Sequence, residues 1–129
     1  MKSTTIALIT TLCVFFSCNN SDETKPQNTS RTLRYELTGN FVGSNMTAAY
    51  TTPSGGTTSE QIAALPWSKE IKYATTVGGA SLAVTGGGGT AGQRATLVVK
   101  RGGIQVGSPI TATADASGTF SIAAPAIIF

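Results

Sequence analysis

From Leu33 onward the chain is written in short runs of alternating apolar and polar residues, and nearly every run stops at glycine-rich turn chemistry. Leu33, Tyr35 and Leu37 share one face of an extended segment, and Arg34, Glu36 and Thr38 share the other, up to Gly39-Asn40. A period of two puts successive side chains on opposite faces of a strand, so each run buries one face and wets the other. Thr47 to Thr52 repeats the alternation and ends at Pro53-Ser54-Gly55-Gly56. Gln61 to Leu65 leads into Pro66-Trp67-Ser68, and Glu70 to Thr76 sets Ile71, Tyr73 and Thr75 against Lys72 and Ala74. After Val77-Gly78-Gly79 come a short strand over Ser81 to Thr85, with Leu82 and Val84 facing inward, and a glycine-rich loop over Gly86 to Gly92. The strand over Arg94 to Lys100 turns Ala95, Leu97 and Val99 inward and reverses at Arg101-Gly102-Gly103. Ile104 to Val106, Ile110 to Ala114 and Thr119 to Ala124 complete the series around the Asp115-Ala116-Ser117-Gly118 turn. Seven or eight strands at spacings of roughly ten residues predict an all-β domain, a single antiparallel β-sandwich of about seven strands. A membrane barrel is the weaker fit, because its strands run to about nine to eleven residues each.

Composition agrees with strands and narrows the function. Fifteen glycines favour turns over helices, and charged residues are only 12% of the 129, sparse for a cytosolic protein. A net charge of +3 without a basic cluster is no nucleic-acid footprint. The chain has no histidine, which removes the commonest general base and the commonest metal ligand together.

The N-terminus reads as a lipoprotein leader. Met1-Lys2 is a short positive start, and Ile6 to Phe16 is an apolar run of about eleven residues, too short to cross a hydrocarbon core of about twenty. Ser17-Cys18 follows and is similar to the lipobox of bacterial lipoproteins, with Cys18 as the lipidated residue and Phe16 a departure from the usual small side chain. Cys13 lies within the leader, so a Cys13–Cys18 disulfide is the poorer reading. Residues 1–17 are thus expected to be signal peptide, 18–32 a lipidated cysteine and polar linker, and 33–129 the sandwich. The linker's acidic pair Asp22-Glu23 resembles the export signal of Bacteroidota surface lipoproteins.

Within the sandwich, the sole tryptophan sits in Leu65-Pro66-Trp67-Ser68. Pro66 has no N–H for a ladder and so belongs at an edge, a bulge or a crossing between sheets. Trp67 is expected to pack into the core with a partner for its indole N–H. Tyr35-Glu36-Leu37-Thr38-Gly39, then Ala48-Ala49-Tyr50-Thr51-Thr52-Pro53-Ser54-Gly55-Gly56, then Leu65-Pro66-Trp67-Ser68, and finally Leu97-Val98-Val99-Lys100 before Gly102-Gly103 occur in that order. This order resembles the MmpS (mycobacterial membrane protein, small) family, with Tyr35, Gly39, Tyr50, Leu65, Pro66, Trp67 and Ser68 as motif residues. The resemblance covers most of Tyr35 to Ala124. It departs at the N-terminus, where a lipid anchor replaces the family's membrane helix, and at the late turn, where Gly102-Gly103 replaces Asp-Gly. It implies an immunoglobulin-like, extracytoplasmic and non-enzymatic domain that assists an RND-type (MmpL-like) exporter of lipids or siderophores.

Other candidate chemistry is thin. Gly86-Gly87-Gly88-Gly89 lacks the Lys-Ser/Thr and helix of a phosphate loop, so a flexible hairpin loop is expected. Asp115 with Ser117 falls far short of the six to eight oxygens calcium takes, and a β-turn is expected. Lys100 and Arg101 are candidates for contact with a partner or headgroup, against the plainer role of charges guarding a strand end. The acids of the mature chain show no recurring spacing, and neither a metal site nor a cofactor site is expected. Two roles follow: an accessory lipoprotein of a membrane transporter, or a surface module binding polysaccharide or protein. Exposure of Trp67 and Tyr73 on one face would favour the second.

Overall fold

The computed structural model describes residues 27–129, so the leader, Cys18 and Asp22-Glu23 lie outside the described residues. Among the described residues eleven strands form: β1 (Thr32–Gly39), β2 (Asn45–Thr51), β3 (Thr57–Ile62), β4 (Trp67–Lys72), β5 (Gly79–Ala80), β6 (Leu82–Gly87), β7 (Arg94–Arg101), β8 (Ile104–Gln105), β9 (Ile110–Thr113), β10 (Phe120–Ala123) and β11 (Ile127–Ile128). One sheet runs β4-β1-β7, with β8 and β9 both on the far side of β7; the other runs β10-β6-β2-β3; β11 and β5 make a short ribbon. Every pairing is antiparallel.

The alternation seen in the sequence is what closes the core. Leu33, Tyr35 and Leu37 of β1, Ala95, Leu97 and Val99 of β7, Met46, Ala48 and Tyr50 of β2, and Leu82 and Val84 of β6 are all buried in one cluster between the two sheets. Because the side-chain period is two, a slip of one residue in any of these strands would turn its apolar set to water, which pins the register. Among the described residues this cluster runs from Leu33 of β1 to Ile122 of β10 and draws on both sheets.

Four expectations shift in detail. β3 begins at Thr57, in a stretch without apolar residues before Ile62, because its partner β2 supplies the buried side chains and Thr57 to Ser59 stay exposed at the sheet edge. β4 begins at Trp67 and ends at Lys72; Ile71 and Tyr73 are buried as expected, but Thr75 is exposed, since the chain leaves the sheet for the turn over Thr75-Thr76. Gly86 and Gly87 belong to β6 and are not loop. A Cβ on Gly86 would collide with the Phe120 ring and one on Gly89 with the Phe41 ring, and those two rings stack edge to face at 4.6 Å. The glycine run is therefore a seat for two aromatics. Finally, the expected linker is held against the sandwich from Asn28: its amide donates to the Arg101 carbonyl at 2.7 Å, and β1 starts at Thr32.

Candidate functional site

β3 and β4 are consecutive in the chain but stand on different sheets, each at an edge. The connection carrying Ala63-Ala64-Leu65-Pro66 thus makes the crossing between sheets, and Pro66 occupies it with a cis Leu65–Pro66 peptide. Where two edge strands of a sandwich face each other the core lies open at its side. This chain fills that opening with polar side chains pointing inward.

On β4, Trp67, Lys69 and Ile71 face inward, opposite Leu37, Tyr35 and Leu33 of β1. On β3, Glu60 faces inward beside Ala48 of β2. The four groups Glu60, Lys69, Trp67 and Tyr50 converge. Glu60 Oε2 accepts from the Tyr50 hydroxyl at 2.8 Å and from Lys69 Nζ at 3.0 Å, and Oε1 accepts from the Trp67 indole N–H at 3.2 Å. Lys69 Nζ also lies 5.4 Å from the centre of the Tyr50 ring, a cation–π contact. Lys69, then Tyr50 and Trp67, hold the Glu60 carboxyl below the usual carboxylate range, and the same carboxylate raises the Lys69 ammonium. Trp67 is half-buried against the core and has the N–H partner its burial requires.

The motif residues therefore divide. Tyr35 is buried, and its hydroxyl has no hydrogen-bond partner among the described residues; burial, with the neighbouring Tyr73 hydroxyl, pushes its pKa up. Gly39 has φ +138°, and a Cβ there would collide with the Arg94 carbonyl oxygen, so the motif glycine lets β1 end against β7. Tyr50 and Trp67 meet at Glu60, and Leu65 packs half-buried against the core. Pro66 and Ser68 are exposed and, with Arg34, Glu36, Thr38 and Trp67, line a shallow depression of about 280 Å³. Two others, of about 150 Å³ beside Phe41, Val42 and Leu65 and about 140 Å³ beside Val99, Ile110 and Ile127, are smaller still. Small-molecule sites commonly enclose about 300–1,000 Å³.

Lys100 and Arg101 both have intramolecular partners. Lys100 pairs with Glu36 at 3.1 Å, and Lys100 first, then Arg34, holds the Glu36 carboxyl low. Arg101 donates to the Ser30 carbonyl at 2.7 Å and the Ile128 carbonyl at 3.2 Å, with its guanidinium 5.2 Å from the Phe129 ring centre. Asp115 closes the β9–β10 turn as expected, accepting from the Ser117 hydroxyl and backbone N–H and from the Thr119 hydroxyl and N–H, which draws its pKa down to about 2. Among the described residues, no three of His, Cys, Asp and Glu gather as a metal would need. Glu60 and Lys69 are the two site residues that the sequence reasoning passed over; the signal was the inward parity Thr58-Glu60-Ile62 and Trp67-Lys69-Ile71, visible only once β3 and β4 start where they do. Comparison with protein families, with curated proteins and with solved structures returns no match to this chain.

Proposed function

We propose that this chain is a non-enzymatic accessory lipoprotein of the cell envelope, anchored through Cys18, whose immunoglobulin-like sandwich serves as an adaptor for an RND-type export system for lipids or siderophores. The observation that carries the reading is the convergence of Trp67, Tyr50 and Lys69 on Glu60. The side chains of the Leu65-Pro66-Trp67-Ser68 signature that could have formed an aromatic platform are spent on closing the sandwich. Tyr35, Tyr50, Tyr73, Phe41 and Phe120 are buried as well, which disfavours a stacking site for polysaccharide. The carboxylates Glu36, Glu60 and Asp115 are held ionised by their own neighbours, which suits them to bracing and not to general acid chemistry at neutral pH. What remains for function is surface: two sheet faces, the loops and the anchored end.

The test is crosslinking in the native host followed by purification on this chain. Recovery of an RND-type transporter, with export impaired on deletion of the chain, supports the adaptor role. Recovery of none, with export unchanged on deletion, overturns it.

A further inference from the structure

The charges of this sandwich are not spread evenly between its two ends. At the end where β1 begins, Thr32 stands beside Lys72 and Leu33 beside Arg101, and Arg101 pairs in turn with Ile104. Arg101 Nη1 reaches the carbonyl of Ile128, and the Arg31 guanidinium binds the carbonyls of Ala74 and Thr75 at this same end. Among the described residues Arg31, Lys72 and Arg101 form no ion pair, because the nearby carboxylates Glu36 and Glu70 are taken by Arg34 and Lys100. Ile104 and Ile128, also here, are 66% and 69% exposed. The opposite end carries an exposed Val42, and there Arg94, which forms no ion pair among the described residues, is offset by the carboxylate of Asp115.

Two wet isoleucines beside three unneutralised cations make a poor water-facing surface and a good interfacial one: apolar side chains enter the headgroup boundary while cations meet lipid phosphates. This is also the end at which the chain arrives from the segment bearing Cys18. We propose that this end seats on an anionic lipid bilayer, a second membrane contact that orients the sandwich above its anchor. The inference rests on the anchored reading given above and adds the surface that touches the membrane.

The chain from position 18 with Cys18→Ser retains every strand and core residue described here and carries no acyl chain. Its cosedimentation is measured with phosphatidylcholine vesicles, with and without phosphatidylglycerol. Binding is expected only with the anionic lipid and weakens as salt rises. Lys72→Gln is expected to weaken it about fivefold. Ile104→Ser combined with Ile128→Ser should weaken it about tenfold or more, while Val42→Ser at the other end leaves it unchanged. These side chains are exposed, and circular dichroism verifies that each variant keeps the fold. Absent binding, equal binding to both compositions, or binding indifferent to Lys72 and the two isoleucines overturns the inference. Incorporation of labelled palmitate at Cys18 in the host separates the two claims: an acylated chain that fails the vesicle test sinks only the docking surface, and vesicle binding by a chain never acylated in the host sinks only the anchor.

Discussion

Removal of the Glu60 carboxylate should loosen the side of the sandwich, and the size of the effect follows from its three donors. Fully buried, each charge-assisted bond would be worth about 1.5–3 kcal/mol. The Glu60 side chain is 31% exposed and that of Lys69 36%, however, so the ion pair itself is worth no more than about 1 kcal/mol. The Tyr50 hydroxyl and Trp67 indole bonds add about 1 kcal/mol each. Glu60→Ala is therefore expected to cost about 2–3 kcal/mol, which in a domain of this size lowers the thermal midpoint by about 10–20 °C. Trp67 is the sole tryptophan, so urea unfolding followed by its emission reports on the site directly. The pH dependence carries a sign. The folded pKa of Glu60 lies below its ordinary value of 4.5, so its stabilisation is complete above that value and is lost as pH falls through the depressed folded pKa. Glu36 and Asp115 lose stabilisation in the same acid range, so the measurement is the difference between wild type and Glu60→Gln, which should shrink as pH drops below about 4.5. A Glu60→Ala variant within about 0.3 kcal/mol of wild type, with unaltered Trp67 emission, would refute the idea that this cluster closes the core.

Three further outcomes test the packing around it. Tyr35→Phe removes a buried hydroxyl with no partner among the described residues and should be neutral or stabilising by up to about 1 kcal/mol in urea; a clear loss of stability means the hydroxyl is bonded in solution. Gly39→Ala forces a side chain onto φ +138° and against the Arg94 carbonyl, and should destabilise by more than about 1 kcal/mol, with an unchanged midpoint counting against the close approach of β1 to β7. Asp115→Ala leaves the Ser117 and Thr119 N–H groups without their acceptor, so the thermal midpoint should fall, and a rise or no change would show that the β9–β10 turn does not depend on it.

Parity along the chain was enough to place the core of β1, β6 and β7, because a strand's period of two converts directly into inside and outside: Leu33, Tyr35 and Leu37, Leu82 and Val84, and Ala95, Leu97 and Val99 are buried as expected. Pro66 was narrowed to an edge, a bulge or a crossing, since a residue without an N–H has few places in a sheet, and the assembled sheets select the crossing. Glu60 and Lys69 were not. Each is a charged residue on an edge strand whose inward direction depends on where the strand starts, and the start of β3 is set by its partner β2, a neighbour in space. Nor could the sequence say that Lys100 and Arg101 would be claimed by Glu36, Ser30 and Ile128, or that Gly86 and Gly89 would seat Phe120 and Phe41. Those outcomes depend on which strands become neighbours across a sheet and which sheet edges face each other. A local pattern fixes the faces of each strand but not its neighbours, so alternation determined what is buried, and only the assembled sandwich decided what the remaining polar groups are bonded to.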